Sequence, residues 1–113
     1  MVTTTLKEEP HFDVIGEAEN GLQAVQKAEA LKPDVVVLNI SMPVLDGFEA
    51  ARRIRKSLPE VAIVILSSQA DKHLIDAARK IGARAFVPKT ETALALVKAI
   101  EAAIRNDEFF VVE

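Results

Sequence analysis

The chain has no cysteine, tryptophan or tyrosine, and only four glycines in 113 residues. Without cysteine there is no disulfide, no thiolate nucleophile and no sulfur ligand for a metal, as is common in domains that work in a reducing compartment. The aromatics are limited to five phenylalanines, and 14 basic residues against 17 acidic ones leave a formal net charge of −3. Nucleic-acid binders need a basic footprint, and single-strand binders need stacking platforms as well; neither is present. Long apolar runs are also missing. Nothing approaches the roughly 20 residues that cross a bilayer, and the start MVTTTLKEEP lacks the charged-then-apolar layout of a secretory signal. The expectation is a cytoplasmic domain without membrane or direct nucleic-acid contact. His11 and His73 are the only histidines. Neither forms a nucleophile and base pair with another residue in the pattern, so an enzyme is not expected.

What is present describes one folded unit. A chain of 113 residues has the length of a single domain, here 1–113, and 50% apolar with 27% charged residues is ordinary for a globular core. Four short apolar runs punctuate it: Val14-Ile15, Val35 to Leu38, Val61 to Leu66, and Ala85 to Val87. The second and third are continuous and rich in β-branched residues, as strands covered on both faces must be. Between and after them lie helical spacings. Leu22, Val25 and Ala28 make one stripe; Phe48, Ala51, Ile54 and Leu58 another; Leu74, Ala77, Ala78 and Ile81 a third; Leu94, Val97, Ile100 and Ile104 a fourth. Pro33, Pro59 and Gly82 stop three of these helices, and Asp46 and Asp71 are candidate N-caps. Strand and helix alternate four times, which predicts an α/β sandwich around a parallel sheet. The basic cluster Arg52, Arg53, Arg55 and Lys56 falls within a helix and reads as a solvated face.

In a parallel α/β sheet, polar residues at the carboxyl ends of the strands gather along one edge, where ligands bind. That edge would collect Glu17 and Glu19 after the first run, Asn39 after the second, Ser67 and Ser68 after the third, and Lys89 after the fourth. Each alone has a plain structural role: Asn39 ties down its loop, Ser67 caps the next helix, Lys89 is exposed. Together an amide, a hydroxyl and an ammonium from consecutive strand ends form a constellation.

The stretches GEAENGLQAVQKAEALKPDVVVLNISMPVLDGFEA, VAIVILSS and GARAFVPK, in that order and spacing, resemble the receiver domain of two-component response regulators. The similarity is greatest to the branch usually fused to a LuxR/NarL-type helix-turn-helix, and it covers about residues 10–105. It implies a flavodoxin-like (CheY-like) doubly wound parallel sheet of strand order 2-1-3-4-5. It also implies phosphoryl transfer from a sensor histidine kinase to an aspartate ending the third family strand. There Mg²⁺, held partly by an acidic pair after the first strand, neutralises charge. By position Asn39 stands at the phosphoacceptor, and Ser41 supplies a backbone carbonyl near the metal. Ser67 and Lys89 match the hydroxyl and lysine of the phosphoryl pocket, and Phe86 matches the aromatic whose rotamer reports the state. Met42, Pro43 and Gly47 match the loop that shapes the pocket.

Two departures bear on activity. Asn39 offers a neutral amide where an acyl phosphate needs an ionised carboxylate. Residues 5–10 resemble the end of the first family helix, so the first family strand and its acidic pair have no counterpart and no Mg²⁺ or other cofactor is expected. A naturally degenerate receiver accounts for both departures with one cause; an ordinary phosphoacceptor, shortened and substituted from Asp to Asn, accounts for them with two. The leading expectation is therefore signalling by phosphorylation-independent binding of protein partners, a sensor kinase or a regulator. A lost central strand would leave unpaired backbone rows. Either its neighbours pair directly, or the β-prone tail Phe109 to Glu113 within residues 106–113 enters the gap. The tail would come from the same chain or, in a homodimer by strand exchange, from a second copy. Alternatively, this tail is a linker or a frayed end.

Overall fold

The computed structural model describes residues 20–40, 45–68, 72–89, 93–105 and 109–110. Asn20 opens the first helix, α1 (Gly21–Leu31), its side chain accepting from the Gln23 N–H at 2.9 Å. The helix closes on Lys32 in the left-handed region (φ 50°), immediately before Pro33. Strand β1 (Val35–Asn39) follows, then α2 (Gly47–Ser57), β2 (Ala62–Ser67), α3 (Lys72–Lys80), β3 (Ala85–Pro88), α4 (Ala93–Ile104) and the short β4 (Phe109–Phe110). The strands form one parallel sheet in the order β1-β2-β3-β4. The first three strands follow the 3-4-5 part of the expected order. Val14-Ile15, the acids Glu17 and Glu19, the question of a first family strand, and the Asp71 cap all lie outside the described residues.

The continuous apolar runs behave as strands covered on both faces. All six residues of β2 and all four of β3 are buried. Successive side chains alternate between two cores. Ile63, Ile65 and Phe86 pack with α1, α2 and α3 on one face, whereas Ala62, Val64, Leu66, Ala85 and Val87 pack with α4 on the other. The sheet is therefore doubly wound.

Asp46 caps α2 as expected, accepting from the Glu49 N–H at 2.9 Å. Asp46→Ala is expected to cost about 1 kcal/mol, the usual worth of an N-cap, read as a lower urea midpoint at unchanged slope. Of the basic cluster on this helix, Arg52 and Arg53 are exposed and pair with Glu49 at 2.7 and 3.2 Å, and Lys56 is exposed. Arg55 departs from the solvated reading. Its guanidinium donates to the Pro59 carbonyl at 2.5 Å and the Gly82 carbonyl at 2.9 Å, joining the end of α2 to the turn after α3. Burial first, and then the neighbouring Arg84, lower its pKa.

Two expected stripes are corrected. On α1 the buried face is Gly21, Ala24, Val25 and Ala28, and Leu22 is 39% exposed. On α4 the buried residues are Leu96, Ala99, Ile100, Ala102 and Ala103, while Leu94 and Ile104 are 60% and 52% exposed. In both helices alanines face inward because close approach to the neighbouring layer favours small side chains there, and the larger leucine was the misleading marker.

Insertion of the tail into a central gap of its own chain is likewise overturned. Phe109 and Phe110 pair within their own chain, parallel to β3, with Ala85 opposite Phe109 and Phe86 opposite Phe110. This is the sheet edge farthest from β1. The reason is proximity: α4 packs mainly over β3 and β2, so the outer edge of β3 is the nearer free edge for a strand that follows it. The expected parallel direction is found; the destination differs.

Candidate functional site

The carboxyl ends of β1, β2 and β3 meet along one edge, and the pairing register fixes which residues share it. Asn39 ends β1 opposite Leu66, and Ser67 follows as the last residue of β2, opposite Pro88. The next residue, Lys89, donates its backbone N–H to the Ser67 carbonyl at 2.6 Å. Asn39, Ser67 and Lys89 thus come together at three neighbouring strand ends. Ser67 is buried and Lys89 exposed. Phe86, three residues before Lys89, is fully buried (0% exposed) and faces the core formed with α1, α2 and α3.

The Asn39 side chain carries the decisive detail. Its Oδ1 is buried without a hydrogen-bond partner among the described residues. A buried acceptor of this kind is costly unless a donor or cation meets it. Mg²⁺ takes a near-octahedral set of oxygens that usually includes carboxylates. Among the described residues no three acidic or histidine side chains converge, and one neutral amide oxygen falls well short of such a set. The described side chains alone do not make up a Mg²⁺ site. Glu17, Glu19, Ser41, Met42 and Pro43 lie outside the described residues.

The turn after Asn39 is positioned by close backbone approach. Ile40 donates its N–H to the Leu66 carbonyl at 3.0 Å and accepts from the Gly47 N–H at 2.8 Å, so the chain folds back onto the strand end. A Cβ on Gly47 would stand 2.0 Å from the Asn39 carbonyl oxygen, which explains why glycine occupies this loop position. Gly21 was not singled out from sequence, yet it is the counterpart: a Cβ there would stand 1.8 Å from the Leu45 carbonyl oxygen. Its signal was the Asn20-Gly21 pair directly ahead of the helical stripe.

Comparison with known proteins matches this architecture. Residues 1–101 match the family described as response regulator receiver domain. The chain is 38% identical over 94 residues to the chemotaxis protein CheY of Listeria monocytogenes, covering 83% of this chain and 79% of that protein. It is 30% identical over 112 residues to the response regulator VraR of Staphylococcus saprophyticus, covering 99% of this chain and 54% of the relative. The chain thus spans about half the length of that relative. Among solved structures, the receiver domain of Thermotoga maritima CheB superposes with a TM-score of 0.85 at 31% identity, covering 92% of this chain and 85% of that one. The receiver domain of the putative regulator NarL from Mycobacterium tuberculosis gives 0.85 at 30% identity, with 92% and 84% covered. With strand ends, loop glycine and relatives in agreement, the chain belongs to the response regulator receiver domains of two-component signalling, with their CheY-like α/β fold.

Proposed function

We propose that this receiver transmits its signal by contact with protein partners and without phosphorylation of residue 39 or a bound Mg²⁺. The observation that carries the reading is Asn39 at the carboxyl end of β1, its Oδ1 buried and without a partner among the described residues. A carboxamide is neutral and its nitrogen lone pair is delocalised, so it lacks the ionised oxygen that attacks phosphorus in forming an acyl phosphate. Ser67 and Lys89 remain at the same edge and would serve as polar contacts that shape the surface rather than as phosphoryl ligands. The partner surface is that of α3 and α4, which leave Lys72 and His73 exposed on the first and Leu94 and Lys98 exposed on the second. The partners are a sensor kinase or another regulator. The chain acts as a binding module rather than a catalyst.

Incubation with a small-molecule phosphodonor and Mg²⁺, followed by intact-mass measurement, tests this reading. The expected mass is unchanged. A stable gain of about 80 Da, one phosphoryl group, mapped to residue 39 would overturn it in favour of an ordinary phosphoacceptor.

A further inference from the structure

We propose that the strand following α4 is a latch on β3, coupling the position of residues 109–110 to the setting of Phe86 and, through it, to the pocket edge. β3 is short and entirely buried, and it leads from Ala85 through Phe86 to Pro88 and Lys89, which is bonded to Ser67. The Arg84 N–H donates inward to the Ile63 carbonyl on β2 at 2.9 Å. Successive residues of a strand turn their backbone groups to opposite sides. Ala85 and Val87 therefore direct theirs to the outer edge, away from β2. Both residues are buried, at 0% and 2% exposure, so those groups need a protein partner rather than solvent. β4 lies on that edge, with Phe109 and Phe110 in register with Ala85 and Phe86, and α4 packs against both strands.

Among the described residues β1 meets β2 over five residue pairs and β2 meets β3 over four, whereas β4 meets β3 over two. The least-paired strand opens first, so β4 can leave without unfolding the sheet. With β4 seated, Phe86 has a strand on either side; with β4 released, it is flanked by β2 alone. Any pull on the segment after α4 is thereby felt by the strand that ends at Lys89. The coupling stands on the pairing itself, and only its meaning for signalling rests on the reading of Phe86 and Lys89 given above.

Native-state hydrogen exchange of the full chain, resolved by NMR, tests the latch. The amides of Ala85, Val87 and Phe110 are expected to share one opening rate, at least tenfold faster than those of Phe86 and Ile65. Removal of residues 106–113 should abolish the extra protection of Ala85 and Val87, leave Ile63 and Ile65 protected, and shift or broaden the Phe86 ring resonances. Phe110→Pro in the full chain supplies the same comparison if the shortened chain does not fold. Exchange of Ala85 and Val87 at the rate of Phe86 in the full chain would overturn the proposal. So would unchanged exchange, or unchanged Phe86 ring resonances, in either folded variant. A phosphorylated residue 39 would leave these outcomes untouched, so the two readings fail separately.

Discussion

Phe86→Ala is expected to lower the unfolding free energy by about 3–5 kcal/mol, the usual range for truncating a fully buried aromatic. Phe86 has no exposed surface and sits in β3, with α1, α2 and α3 packed over the same face of the sheet. The neighbours that would have to collapse into the void belong to strands fixed by ladder bonds on both sides, and a rigid wall relaxes little. Stability of small domains is typically about 5–15 kcal/mol, so the loss takes a large share of it. For a domain of this size each kcal/mol moves the melting temperature by roughly 4–8 °C, which puts the expected drop above about 12 °C. Thermal and urea unfolding followed by circular dichroism measure it. A loss of unfolding free energy below about 1 kcal/mol would show that the side chain is not packed as described. Phe86→Leu, which keeps most of the volume, should recover more than half of the loss.

The fold was legible in the sequence where the physics is local or periodic. Continuous β-branched runs became strands buried on both faces, and Asp46 capped α2 because a short acidic side chain before a helical stripe has few other uses. The site was legible for a different reason. In a parallel sheet every strand ends at the same edge, so residues that follow apolar runs are brought together by topology alone; Asn39, Ser67 and Lys89 needed no further information.

Three features were less legible, each because it depends on distances between elements. Leu22, Leu94 and Ile104 looked like core and are exposed, since which face of a helix is buried depends on how closely the helix seats, and alanines allow the closest seating. Arg55 resembled its exposed neighbours, but its carbonyl partner on Gly82 is 27 residues away. The tail Phe109–Phe110 forms a parallel strand, one of the readings left open by the sequence, but at the outer edge of β3 rather than in a central gap, because which edge lies nearest α4 is a property of the assembled sheet. Gly21 escaped notice for the same reason: the carbonyl that excludes a side chain there comes from Leu45.

Gly47→Ala is expected to destabilise the domain by about 3 kcal/mol and to disturb the environment of Asn39. Two effects compete. Alanine is a better helix former than glycine by up to about 1 kcal/mol, and residue 47 is the first of α2, where that gain is smaller. Against it stands a Cβ only 2.0 Å from the Asn39 carbonyl oxygen and 2.8 Å from the Ile40 Cα, both backbone atoms that cannot swing aside as a side chain can. Overpacking of this kind typically costs about 1–3 kcal/mol, and relief by moving the loop would sacrifice the 2.8 Å bond from the Gly47 N–H to the Ile40 carbonyl. The clash wins. Gly82→Ala is the informative contrast: Gly82 sits at φ 86°, but its nearest neighbour is the Arg55 side chain at 3.1 Å, which can give way. Its cost should be the left-handed penalty, roughly 1–2 kcal/mol, plus any weakening of the Arg55 bond to the Gly82 carbonyl, with no change at Asn39. Urea midpoints rank the two variants, and the Asn39 side-chain amide resonances distinguish them. If Gly47→Ala proved as stable as the unaltered chain, with those resonances in place, the close packing of α2 on the strand end would be wrong, and with it the account of how the loop after Asn39 is held.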